Sequence, residues 1–277
     1  HMAITMFWMD WNPADKGTLN PSWLTAIDQH GSIPMITWSP ADWTGGSQTN
    51  YTTSAIAAGA DDAYIKSFAQ QLKTFGKPVL LRTMHEMNAN WYPNWDLAHN
   101  SAANYVAAWR HMHDLFVQAG ASNVLWVWCP NYWNPNWGAG EIDPNPAYPG
   151  DAYVDWVGFD VYNNASPNYA SFAGLSDYAY SNLTGAHPTK PLMVPEFGAT
   201  EPTAAQAGAG SSKAGWFTQT FADVQAKYPK IRALIYFNED KTNAEGCNCN
   251  WPIESDASAQ QAFKQAVAPS YFLSTWR

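Results

Sequence analysis

Short, nearly continuous apolar runs recur along the chain, and most give way to polar or aromatic residues at their C-terminal ends. They lie at 3–9, 33–38, 79–81, 123–128, 154–162, 191–198 and 231–237. Runs of this length without strict alternation suit strands buried on both faces, as in a parallel sheet. Helical spacing fills several of the intervals. Asp61 or Asp62 is placed to cap a helix with Ile65, Phe68, Ala69 and Leu72 on one face, and Gly76 to stop it. Residues 102–119 carry Tyr105, Trp109, Met112 and Phe116 at helical spacing, with Gly120 as the end. A less regular helix is predicted within 169–184. Another follows Ser212 with Trp216, Phe217, Phe221 and Val224, and a last one covers about 257–267.

Strands alternating with helices point to an α/β barrel or an open α/β sheet. The fold expected is a (β/α)8 TIM barrel. Seven strands are read where a closed barrel needs eight, so the first strand is expected to be lacking or replaced. No repeat, low-complexity block or linker divides the chain, and 1–277 is expected to be one catalytic domain. His1-Met2 has the look of a tag remnant.

Two of the runs end in a carboxylate. Val79 to Leu81 leads into Arg82-Thr-Met-His-Glu-Met-Asn, and Pro191-Leu-Met-Val-Pro leads into Glu196-Phe-Gly. Strand alternation puts Arg82, Met84 and Glu86 on one face. Gly158, Asp160 and Tyr162 share a face in the same way. A buried, unpaired glutamate is costly. The plain alternative is that Glu86 only pairs with Arg82. Two such glutamates, far apart in sequence, are what glycosidic cleavage needs. One carboxyl protonates the leaving oxygen and the other attacks carbon or activates water.

Composition sharpens this. Only 13% of residues are charged, while there are 16 Trp and 14 Tyr. Aromatic rings stack on the apolar faces of sugars, although a large barrel also uses tryptophan in packing. The net charge of −9 disfavours nucleic acid and anionic membranes and would repel an acidic polysaccharide. A neutral polysaccharide or oligosaccharide is the expected partner, and a monomer the expected state, although an open barrel edge would invite dimerisation. No run of ~18 apolar residues is present to span a membrane. A polymer substrate implies action outside the cell. Cys129, Cys247 and Cys249 allow one disulfide at most. Cys129 either meets the 247–249 loop or stays a buried thiol.

Other chemistries fit poorly. His85-Glu86 is not the zinc motif His-Glu-x-x-His, because position 89 is Ala and the segment reads as a strand end. His111 and His113, two apart on a helix, do not face each other. The cysteines lack C-x-x-C spacing, and no Gly-x-Ser-x-Gly elbow or phosphate-binding loop occurs. Gly208 and Gly210 read as a flexible surface loop. No metal or cofactor is expected.

Arg82-Thr-Met-His-Glu-Met-Asn with Trp91, followed by Val194-Pro-Glu-Phe-Gly, resembles glycoside hydrolase family 26 of the (β/α)8 retaining glycosidases. The likeness extends through Ile33-Pro-Met-Ile-Thr-Trp-Ser-Pro, Asn123-Val-Leu-Trp-Val-Trp, Trp156-Val-Gly-Phe-Asp-Val-Tyr and Tyr236-Phe-Asn. The resemblance implies that Glu86 is the acid/base and Glu196 the nucleophile. It also implies that Arg82 lies by the nucleophile, that His85 contacts the sugar at the cleaved bond, and that Tyr162 approaches the nucleophile. Carboxyl groups about 5–5.5 Å apart and retention of configuration are expected. Where the family's mannanases carry Trp-Phe-Trp-Trp, this chain has Trp91-Tyr92-Pro93-Asn94-Trp95. An endo-β-1,4-mannanase is expected first. Mixed-linkage β-glucanase, β-1,3-xylanase and a catalytically silent carbohydrate-binding barrel are the alternatives. Trp38, Trp91, Trp133 and Trp137 follow barrel strands on the face where such enzymes place their sites. With Asn131, Asn238 and Trp251 they are the remaining candidates for the cleft.

Overall fold

The structure is a computed structural model, and it describes residues 2–12, 18–138, 140–165, 168–206 and 211–275. Gly208 and Gly210 therefore lie outside the described residues, as does His1. Two compact units make up the chain. The first holds residues 1–131, 135–158 and the C-terminal 274–277, and the second holds 132–134 and 159–273.

The first unit opens with β1 (Ile4–Asp10), α1 (Pro21–Gln29) and β2 (Ile33–Ser39), followed by the short α2 (Thr53–Ala57). Then come α3 (Asp62–Phe75), β3 (Val79–Thr83), α4 (Ala102–Ala119), β4 (Val124–Trp128) and β5 (Trp156–Gly158). Its five strands are parallel and neighbours in chain order, with Ile4 opposite Ile33, Met35 opposite Leu80, Val79 opposite Val124 and Val127 opposite Trp156. Every residue of β2 and β3 is buried, which is why neither shows a two-residue alternation. Helix α4 has the bounds its periodicity predicts. The Ser101 hydroxyl accepts from Asn104 N at 3.2 Å, and Gly120 closes the helix at φ 75°. Helix α1 was not legible. Asn20 caps it and Pro21 starts it, but Leu24 is its only buried residue, so the apolar stripe is too thin to read. The core is aromatic. Trp38 stacks on Phe68 at 4.6 Å and 7°, and Trp11, Tyr64 and Phe116 close around the pair.

The second unit holds β6 (Val161–Asn163), α5 (Phe172–Ala186), β7 (Leu192–Ala199), α6 (Lys213–Lys227), β8 (Ile231–Tyr236), the short α7 (Thr242–Glu245) and α8 (Ala257–Ala266). β6, β7 and β8 are parallel, with Val161 opposite Phe197 and Val194 opposite Leu234. Phe197, Trp216, Phe217, Phe221, Tyr236 and Phe263 form its aromatic core, edge-to-face except for the tilted pair of Phe197 and Trp216.

The strand expected over 154–162 is two short strands. Between them, Asp160 O accepts from Tyr132 N and Phe159 N donates to Met193 O, so alternation does not run from Gly158 to Tyr162. Cys247 and Cys249 form the disulfide, and Cys129 is a buried thiol 3.9 Å from Arg82 Nη1. Among the described residues, no helix is long and apolar enough to cross a membrane.

Candidate active site

In the first unit the site grows from the end of β3. The strand stops at Thr83, three residues before the glutamate that alternation assigned to it. Met84 and Glu86 then adopt φ values of 44° and 51°, a left-handed conformation uncommon outside glycine. Each such residue costs about 1–3 kcal/mol and persists only where its surroundings hold it. Here three hydrogen bonds tie the turn. Tyr105 Oη donates to Met84 O at 2.9 Å, Trp95 Nε1 to His85 O at 2.7 Å, and Glu86 N to Cys129 O at 2.7 Å. Glu86 thus leaves the strand face of Arg82, and its side chain is set by the turn. Its Oε2 accepts from Trp91 Nε1 at 3.0 Å.

Arg82 is buried, and its Nε and Nη2 both donate to Thr37 Oγ1, at 3.0 and 2.8 Å. Burial, with the Arg82 charge adding to it, pushes the pKa of His85 well below the usual range. His85 is therefore neutral. Its Nδ1 is buried and lacks a hydrogen-bond partner among the described residues. The ring packs against Tyr92 and Trp95, which stack on each other at 4.6 Å. Buried Asp96 shapes this loop by accepting from Tyr92 N and His99 N, at 2.9 and 3.0 Å. Trp91 projects from it 50% exposed.

In the second unit Glu196 is buried within β7, and Tyr162 Oη donates to its Oε2 at 2.5 Å. Tyr162 was expected to approach this carboxylate, and it does. Trp251 stacks on the Tyr162 ring at 4.3 Å, and Phe237 meets it edge-on at 5.8 Å. Trp251 is pinned in turn. Its Nε1 donates to Asn164 Oδ1 at 3.0 Å, and its carbonyl accepts from Tyr236 Oη at 2.6 Å.

Two expected site residues are core residues instead. Trp38 is 0% exposed; its indole stacks on Phe68 and its Nε1 donates to Tyr64 Oη at 2.8 Å, so it presents no face to a sugar. Trp133 is buried with its edge against Tyr178. Trp137 is exposed in a single 3-10 turn, Pro135–Trp137. Asn238 is exposed; it donates to Glu254 and accepts from Ile253 N at 2.7 Å, so it organises a loop. Asn131 Oδ1 is buried with no hydrogen-bond partner among the described residues. Its peptide is clamped by Asn88, whose Oδ1 accepts from Asn131 N at 2.8 Å and whose Nδ2 donates to Asn131 O at 3.0 Å. Asn88 was not singled out from sequence. Its position two residues after Glu86 was the available signal.

The sequence pattern of Glycosyl hydrolase family 26 matches residues 46–226, a span that includes both glutamates. The chain is 35% identical over 251 residues to Endoglucanase H of Acetivibrio thermocellus, which covers 87% of this chain and 25% of that protein. It is 28% identical over 193 residues to Mannan endo-1,4-beta-mannosidase A and B of Caldalkalibacillus mannanilyticus, covering 68% of this chain and 33% of that one. The chain thus spans a quarter to a third of the length of these two relatives. A solved family 26 β-mannanase from Bacteroides ovatus superposes with a TM-score of 0.67 at 20% identity, over 96% of this chain and 79% of that one. The fold is the family's (β/α)8 type, and the chain belongs to glycosyl hydrolase family 26.

Proposed function

We propose that the chain is an endo-acting retaining glycosidase of neutral β-linked polysaccharide, with β-1,4-mannan or glucomannan as its first substrate. The observation that carries this is the Tyr162 hydroxyl on Glu196 Oε2, a buried carboxylate held in one orientation by a donor. In the first step Glu196 attacks the anomeric carbon and forms an ester, while the Glu86 proton passes to the leaving oxygen as the glycosidic bond breaks. In the second step water gives a proton to Glu86, attacks the same carbon and frees the Glu196 carboxylate. Neutral His85 supplies a hydrogen-bonding contact to the sugar, and Trp91 a half-exposed ring for stacking. Two carboxyl groups suffice for this chemistry, so no metal or cofactor is invoked. Such a polymer does not cross a membrane, which places the reaction outside the cell. We read 1–277 as one catalytic module acting as a monomer.

A second reading, cleavage of β-glucan, is favoured by one observation: the endoglucanase match extends over 87% of the chain, against 68% for the mannosidase. Reducing-sugar release from glucomannan, galactomannan, lichenan, β-1,3-xylan and carboxymethylcellulose separates the two, with Glu196→Ala as control. Release from the mannans alone supports the first reading, and release from lichenan alone the second. Turnover that survives Glu196→Ala removes Glu196 from its role. Binding without turnover on every polymer makes the chain a silent carbohydrate-binding barrel.

A further inference from the structure

Lys213 occupies an unfavourable place for a lysine. It is 0% exposed and is the first residue of α6, where the helix dipole opposes a positive charge. Burial lowers its pKa to about 8. Helix α6 does not need this side chain, because its first turn is already capped by the Ser212 hydroxyl accepting from Gly215 N at 3.0 Å. The ammonium is spent on the segment 250–255. Lys213 Nζ donates to Pro252 O at 2.6 Å, Trp251 O at 2.8 Å and Ser255 Oγ at 3.0 Å, and lies 3.3 Å from Asn250 O. Three protons thus gather four acceptors from a loop that has no strand or long helix to fix it.

The loop leads to the reaction centre. Trp251, whose carbonyl Lys213 holds, stacks on Tyr162, and Tyr162 donates to Glu196. We propose that Lys213 is a positioning residue for Glu196, acting by locking residues 250–255 so that Trp251 backs Tyr162 against the carboxylate. The contact chain from Nζ to Oε2 runs entirely within the second unit. It rests on the reading of Glu196 as nucleophile. The carboxylates of Glu201, Glu254 and Asp256 act on Lys213, and the Tyr236 hydroxyl shares the Trp251 carbonyl. Hydrogen bonds hold Glu254 and Asp256 below the usual carboxylate range, and burial holds Tyr236 above the usual phenol range. None of these three titrates between pH 7 and pH 9.

The test is Lys213→Met, Trp251→Phe and the double variant, followed by hydrogen–deuterium exchange of a peptide covering 247–256 and by steady-state kinetics. Lys213→Met is expected to speed exchange in that peptide about tenfold while leaving α4 unchanged, because local opening reads lost local contacts. On the substrate that the polymer panel identifies, kcat falls about tenfold with little change in KM, the mark of a group that orients the reacting carboxylate. The double variant is expected to lose no more than the worse single variant, since both act through one contact chain. Unchanged exchange in folded Lys213→Met, or losses that add in the double variant, would overturn the proposal. If Lys213→Met does not fold, the wild type at pH 7 and pH 9, corrected for intrinsic exchange, supplies the neutralisation instead. Faster exchange confined to 247–256 then supports the proposal, and no change refutes it. Exchange does not depend on turnover. A chain inactive on every polymer therefore defeats the glycosidase reading while leaving the lysine lock measurable.

Discussion

Gly198 leaves the space that Tyr162 fills. A Cβ at position 198 would stand 3.0 Å from Tyr162 Cδ1 and 3.1 Å from Trp251 Cγ, closer than packed atoms ordinarily come. The glycine of Glu-Phe-Gly is thus the floor under the pair of rings that orients Glu196. Gly198→Ala is expected to push that pair away, costing about 1–3 kcal/mol by overpacking. Its activity loss should exceed what the loss of folded protein explains. Urea unfolding alongside kcat on the same preparation checks this, and activity at the wild-type level would show that the rings shift freely.

Removing the donor itself is a cleaner change. Tyr162→Phe keeps the ring between Trp251 and Phe237 but takes the hydroxyl from Glu196 Oε2. A hydrogen bond to a charged group contributes about 1.5–3 kcal/mol. If the bond strengthens in the transition state, kcat should fall about ten- to a hundredfold with KM nearly unchanged. Steady-state kinetics decides, and a rise in KM alone would make Tyr162 a substrate contact instead.

Neutral His85 makes the protein acid-sensitive. Its folded pKa lies well below its unfolded value of about 6.5, so the unfolded chain takes up a proton that the folded chain refuses. The resulting stability is fully present above pH ~6.5 and is lost as pH falls below it, by about 1.4 kcal/mol per pH unit. His85→Gln should flatten that part of the curve. Urea titrations of both proteins between about pH 5 and pH 8 test this, and parallel curves would assign the acid loss to other groups.

Trp38 was expected in the cleft and lies in the core against Phe68. Trp38→Ala should therefore lower stability by about 3–5 kcal/mol. The KM of the protein that remains folded should stay within about twofold, because the ring touches no substrate. Exposed Trp91, tethered to Glu86, should behave the other way. Trp91→Ala should raise KM and lower kcat at nearly constant stability.

The two glutamates were legible because a carboxylate at the end of an apolar run is rarely there by accident. Helix α4 was legible because its stripe and both caps agree. The left-handed turn at Met84 and Glu86 was not, since nothing local favours it. Tyr105, Trp95 and Cys129 hold it from positions distant in the chain. Trp38 was misread because β2 is buried on both faces, so strand periodicity does not say which of its side chains faces the site. Lys213 looks like a surface lysine until the acceptors of 250–255 close around it.

The sequence by itself determined most of the strands, the helices with a clear apolar stripe, the two candidate carboxylates and the family. These follow from hydrophobic runs, capping residues and short motifs, which act over a few neighbouring residues. The tertiary structure alone decided which tryptophans pack and which face solvent, how Glu86 leaves its strand, and what holds Tyr162 on Glu196. Those outcomes depend on contacts between residues about 10 to 90 positions apart, such as Trp95 with His85, Tyr162 with Glu196 and Trp251 with Tyr162, and on space left empty at Gly198.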